Sequence, residues 1–170
     1  MHELAYGITS NNAAFGAVHN PYNPALISGG SSGGNAASLA ARMCAAGIGT
    51  DTGGSVRIPS ALCGTVGLRA TVGRYPAQGI VPLAHTRDTA GPMARSVADL
   101  VLLDSVITGE NAPLSPAALK GVRLGVPRSY FYKDMDSTLA PVIENALATL
   151  RKSGCVLVEA EIPEKLPGSS

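Results

Sequence analysis

Apolar residues recur along the chain in two rhythms, one helical and one alternating, and the change between them marks the elements. Val97, Leu100, Val101 and Ile107 fall at helical spacing behind Ser96 and Asp99, which stand as a capping box, and ahead of Gly109. The pattern therefore predicts a helix over 97–108. A second helical stripe, Val142, Ile143, Ala146, Leu147 and Leu150, predicts a helix from Leu139 to Lys152. It lies between two short alternating runs, Val122 to Val126 and Cys155 to Val158, and a strand, a helix and a strand in that order predict a β-α-β unit with parallel pairing.

Towards the N-terminus the pattern is less regular. An alanine-rich run from Asn35 to Ala46, with Leu39, Met43 and Cys44 on one side, predicts a helix packed closely on a sheet and ended by Gly47. Ile48-Gly49-Thr50 follows as a short buried strand, and Pro59 to Leu62 as a further helical turn. Asn, Gly and Pro punctuate residues 1–28, which predicts an ordered loop forming a buried surround. Short strands and turns are expected over 64–82, and a linker from Leu114 to Leu119. The fold class expected is α/β, with a mixed, largely parallel sheet flanked by helices. One domain would cover 1–166, and Pro167-Gly168-Ser169-Ser170 would be a disordered tail.

Composition narrows the partners. With 170 residues, 45 % hydrophobic and 15 % charged, the chain can bury a core, and a net charge of +1 gives no drive towards nucleic acid or an anionic membrane. The three cysteines form neither an even set nor a metal-ligand spacing, which points to thiols in a reducing compartment, the cytoplasm. From Met1 to Ala41 only Glu3 is charged. A free surface carries more charge than that, so this stretch is expected to be covered in something larger, the chain to be an internal fragment, and the fragment alone to self-associate.

The chemistry concentrates between Ser28 and Gly64. Two serines there are flanked by glycine pairs, Ser31 in Gly-Gly-Ser-Ser-Gly-Gly and Ser55 in Gly-Thr-Asp-Thr-Gly-Gly-Ser-Val-Arg-Ile-Pro, 24 residues apart. Glycine allows the backbone to turn tightly and approach other groups, so these hydroxyls are presented rather than sequestered. Together with Cys63 to Leu68 and Gly91-Pro92-Met93-Ala94-Arg95-Ser96, these blocks resemble the amidase signature family of serine amidases. Arg87 to Pro92 and Val72 to Tyr75 resemble most the members acting on mandelamide and indole-3-acetamide.

The resemblance implies that Ser55 is the nucleophile, that main-chain N–H groups at Thr52, Gly53, Gly54 and Ser55 form the oxyanion hole, and that Ser31, following a cis peptide, relays a proton between Ser55 and a lysine. Thr50, Asp51 and Arg57 would hold the nucleophile loop as a surrounding network. The expected reaction is hydrolysis of a primary amide of arylacetamide type to a carboxylic acid and ammonia through a Ser55 acyl-enzyme, with no metal or organic cofactor. The alternatives are the tRNA-dependent amidotransferase subunit that makes Gln-tRNA and a non-catalytic scaffold.

The base departs from the family pattern. The family's lysine precedes the bridging serine, but none of the residues before Ser31 is lysine, and Lys120, Lys133, Lys152 and Lys165 all lie far downstream. The isolated chain is therefore expected to be inactive. His2, His19 and His85 suggest a Ser-His-Asp site, but the Gly-x-Ser-x-Gly elbow is absent. Cys63 in an apolar run reads as packing. The first glycine block lacks the Gly-Lys-Ser/Thr ending of a phosphate-binding loop.

Overall fold

The computed structural model describes residues 1–110 and 115–162. They belong to two compact units, one within 1–114 and one within 115–170, so the expected 1–166 domain would extend over both. The proposed 167–170 tail, Leu114 of the linker and Lys165 lie outside the described residues.

The first unit begins with two small antiparallel ribbons, β1 (Asn11–Asn12) with β2 (Gly16–Ala17), and β3 (His19–Asn20) with β4 (Asn23–Ile27). Asn side chains shape both turns: Asn12 Oδ1 accepts from the N–H groups of Ala14 and Phe15 at 2.9 and 3.1 Å, and Asn20 Oδ1 accepts from Tyr22 N–H at 3.0 Å. The expectation of a buried surround is corrected here. Within 1–28 only Ser10, Asn20 and Ser28 are buried, whereas Leu4 and Phe15 are 83 % and 92 % exposed. The polar Asn and Ser positions make the inward contacts, and the apolar side chains find no cover among the described residues.

Helix α1 (Gly33–Ala40) then leads to strand β5 (Ala46–Asp51), helix α2 (Arg57–Leu62), strand β6 (Val66–Gly67), strand β7 (Thr89–Ala94) and helix α3 (Val97–Thr108). Helix α1 stops before the expected Gly47. Arg42 takes the left-handed conformation at φ 60, and the N–H groups of Arg42 and Met43 close back on the carbonyls of Leu39 and Ser38 at 3.0 and 2.8 Å. That Schellman closure does the work usually given to glycine, so Ala46 and Gly47 are free to start β5. Helix α3 matches its expected bounds. Ser96 Oγ accepts from Asp99 N–H at 3.2 Å and donates to the Asp99 carboxylate at 2.7 Å, and Gly109 ends the helix at φ 73.

The sheet order is β5-β7-β6, with both pairings antiparallel, and Gly49 faces Gly91 across the first of them. The α/β class stands, but the sheet carrying the serine turns is not parallel. Loop rather than a crossover helix connects β6 to β7, and a strand returning by a loop pairs antiparallel. The core of Ala36, Leu39, Val56, Cys63 and Met93 lies where α1 and α2 cover this sheet.

In the second unit, strand β8 (Arg123–Val126), helix α4 (Arg128–Phe131), helix α5 (Ala140–Lys152) and strand β9 (Val156–Glu159) form the expected β-α-β arrangement. Arg123 to Val126 pair in parallel with Val156 to Glu159. Among the described residues no helix is long and apolar enough to cross a membrane.

Candidate active site

The first serine turn packs into α1. The Gly30–Ser31 peptide is cis, and the Ser31 side chain is fully buried with a hydroxyl that has no hydrogen-bond partner among the described residues. Its carbonyl accepts from His2 N–H at 2.9 Å and from Ser10 Oγ at 3.0 Å. Ser10 Oγ in turn accepts from Gly33 N–H at 2.9 Å. Ser32 occupies the N-cap position, but its side chain makes no capping bond; it lies 3.3 Å from Thr50 N and 3.4 Å from Thr50 O instead. A hydroxyl from the first ribbon region thus caps α1, and the local serine reaches across to β5.

The second serine turn is built on Asp51. Its carboxylate, fully buried, accepts from the N–H groups of Gly54, Val56 and Arg57 at 2.8, 3.2 and 3.4 Å. Arg57 adds its Nε and Nη2 at 3.1 and 3.0 Å, and Arg69 its Nη1 at 3.2 Å. Burial alone would push the Asp51 carboxyl up, but the Arg57 guanidinium and the Gly54 and Val56 N–H groups outweigh it and hold the carboxyl below the ordinary value. A buried carboxylate with two cationic partners and three amide donors keeps the loop in one shape.

Val56, next to Ser55, fixes the turn from the apolar side. A Cβ at Gly49, Gly67 or Gly91 would lie 3.0, 2.8 and 2.8 Å from its methyl carbons, so one glycine from each strand makes the hollow that Val56 fills. The two turns then meet directly: Ser32 N–H donates to Ser55 O at 3.1 Å. Of the amides expected around the oxyanion, that of Gly54 is bonded to Asp51, while those of Gly53 and Ser55 have no acceptor among the described residues.

Ser55, Thr52 and Gly53 line a cavity of about 300 Å³ with Tyr6, Leu83 and Arg87. A larger one, about 600 Å³, shares Ala5, Thr52 and Leu83 with it and is walled by apolar groups including Val72, Tyr75, Ile80 and Val81. Asp88 fastens this wall to the serine loop. One carboxylate oxygen accepts from Thr52 Oγ1 at 2.6 Å, and the other from the N–H groups of Leu83 and Ala84 at 2.6 and 2.8 Å. Burial raises the Asp88 carboxyl, but Thr52 and those two amides draw it below the ordinary range.

Ser10 and Arg69 belong to none of the motifs, and Asp88 stands within the Arg87 to Pro92 motif with no sign of its partner, because each reaches the turns over a long sequence separation. The competing nucleophiles find other uses. Cys63 is buried, its thiol is pushed up by burial, and it donates to Ser28 O at 3.3 Å. His19 Nδ1 lies 2.7 Å from Pro24 O, and His2 Nδ1 lies 3.4 Å from Thr9 Oγ1. Lys120, Lys133 and Lys152 all belong to the second unit.

A three-stranded sheet covered by two helices, carrying two linked serine turns of which one contains a cis Gly–Ser peptide, defines an α/β protein with a serine-centred site. The chain belongs to the Amidase family, whose model matches residues 1–168. It is 57 % identical over 163 residues to an indoleacetamide hydrolase of Agrobacterium vitis, covering 96 % of this chain and 35 % of that protein. It is 45 % identical over 169 residues to a mandelamide hydrolase of Pseudomonas putida, covering 96 % and 33 %. The X-ray structure of the native peptide amidase from Stenotrophomonas maltophilia superposes with a TM-score of 0.80 at 35 % identity, covering 96 % of this chain and 38 % of that one. The chain thus spans about a third of the length of the curated relatives it matches.

Proposed function

We propose that this chain forms the serine half of an amide hydrolase acting on primary amides of arylacetamide type, such as indole-3-acetamide or mandelamide. Ser55 Oγ attacks the amide carbonyl and passes its proton to Ser31. Ser31 relays it to a lysine that residues 1–119, which hold none, do not supply. The proton returns through Ser31 to the leaving nitrogen, ammonia departs, and water cleaves the acyl-Ser55 ester to the carboxylic acid. The amides of Gly53 and Ser55 are the first candidates to face the developing oxyanion, with Thr52 beside them. Gly54 serves by donating to Asp51, and Thr50 and Arg57 hold the loop.

The observation that carries this reading is the Ser31 hydroxyl, fully buried and unpartnered in a turn bonded to the main chain of Ser55. A buried hydroxyl without a partner is costly, and a proton relay is a use that accounts for it. The apolar cavity beside the site supports an aryl substrate, and the relatives' names support the same class. The free thiols of Cys44, Cys63 and Cys155 support a reducing, cytoplasmic setting.

In a polypeptide carrying this chain together with the lysine, Ser55→Ala should abolish ammonia release from indole-3-acetamide. Ser31→Ala should leave a slow residual rate, and an activated ester, whose leaving group needs no proton, should suffer less from Ser31→Ala than the amide does. Equal loss of ester and amide turnover would remove the relay role, and wild-type turnover in Ser55→Ala would remove the nucleophile.

A further inference from the structure

Tyr75 stands between two cavities. The residue is only 4 % exposed and lines the cavity of about 600 Å³ beside the serine loop. Its hydroxyl reaches the other way and donates to Asp104 Oδ1 of α3 at 2.6 Å, on the wall of a second cavity of about 450 Å³. The neighbouring Arg74 grips the same carboxylate at both oxygens, Nε to Oδ1 at 2.9 Å and Nη2 to Oδ2 at 2.6 Å, and Nη2 also reaches Glu110 at 3.1 Å. Residues 72–83 otherwise form no helix or strand. The segment walling the larger cavity is therefore secured by side chains, by Asp88 at its Leu83 end and by Asp104 at its Arg74–Tyr75 end. A bidentate Arg–carboxylate pair with a short phenol bond is a directional attachment that an ordinary surface ion pair does not give. Helix α3 can serve as the anchor because it is capped at both ends and buries Leu100.

We propose that Asp104 is a positioning residue for substrate specificity: acting through Tyr75, it sets the wall of the cavity that receives the apolar part of the substrate. The assignment of that cavity to the substrate rests on the amide hydrolase reading above, while the attachment of the wall does not. Asp104 touches no reacting atom. Its effect is to keep the Tyr75 ring upright against the cavity, so its loss weakens capture of an aryl group and leaves the Ser55 chemistry in place.

The probe is indole, a neutral aryl molecule without an amide, titrated into the 170-residue chain by ligand-observed NMR, with a thermal melt of each variant. Wild type should bind indole, and Tyr75→Phe and Asp104→Ala should each weaken it by roughly five- to tenfold, the size expected for one lost hydrogen bond of ordinary net strength. The double variant should be no weaker than the worse single one, because both remove the same attachment. No indole binding by wild type, unchanged binding in folded Tyr75→Phe, or losses that multiply in the double variant would each overturn the proposal. Should Asp104→Ala not fold, Tyr75→Phe alone decides, since phenylalanine keeps the buried ring and deletes only the hydroxyl. Turnover of indole-3-acetamide is measured separately in the longer polypeptide: its absence there counts against the amide reading, whereas the indole result stands by itself.

Discussion

Val56 and Asp51 hold Ser55 from opposite sides, one by packing and one by charge. The Val56 side chain is completely buried in the hollow left by Gly49, Gly67 and Gly91, so the residue after Ser55 cannot slide. Val56→Ala should lower stability by about 2 kcal/mol, the range for emptying a well-packed core position, and loosen the turn. Gly91→Ala should cost more. Its Cβ would stand 2.6 Å from Leu68 O as well as 2.8 Å from Val56, and neither that main-chain carbonyl nor the plugged valine can easily withdraw. Thermal melts of the two variants check the order; a Gly91→Ala protein as stable as wild type would show that the hollow is not closely filled.

At the scale of elements, stability depends on carboxylates that must stay ionised. Asp51 is held below its ordinary value, and Asp104 is drawn from 3.8 down to about 2, by hydrogen bonds from Arg74 and Tyr75 in the first place. A carboxyl depressed in the folded state adds stability above its unfolded value and loses it as pH falls through the folded one. The melting temperature should therefore decline below about pH 4 and go on falling towards pH 2. Asp104→Asn should start lower at neutral pH and lose less across that window. A flat profile from pH 5 to 2 would contradict both attachments.

Helix α3 follows its apolar spacing and capping box, and the β8-α5-β9 unit its apolar spacing, which are local signals. Helix α1 ends early because Arg42, not glycine, adopts the left-handed conformation, and no residue-type signal marks that. Strand β7 was concealed by Gly91-Pro92, a pair that normally argues against a central strand. It is accommodated because Gly91 makes room for Val56 and Pro92 uses its carbonyl, accepting from Leu68 N–H at 3.0 Å. The serine turns were legible as motifs. Their supports, Ser10, Arg69 and Asp88, were not, because each bond spans 18 to 36 residues.

For the whole molecule, the nearly uncharged stretch up to Ala41 leaves Leu4, Tyr6, Phe15, Tyr22 and Leu26 largely exposed. Covering apolar surface is worth about 25 cal/mol per Å², so copies of the 170-residue chain are expected to associate through this face. Light scattering over a concentration series, with a dye that reports apolar surface, should show mass rising with concentration; a monodisperse monomer with little dye bound would contradict it.

On the amide hydrolase reading, Ser55, locked by Asp51 and Val56 and bonded to the Ser31 turn, forms the covalent bond to substrate. That bond is tested by acid quenching of the lysine-containing polypeptide during turnover of an activated indole-3-acetate ester, followed by proteolysis and mass spectrometry of the trapped acyl group. The acyl mass is expected on the peptide containing Ser55, localised to that residue and absent in Ser55→Ala. An acyl group on Ser31 or Cys63, or one that persists in Ser55→Ala, would contradict it.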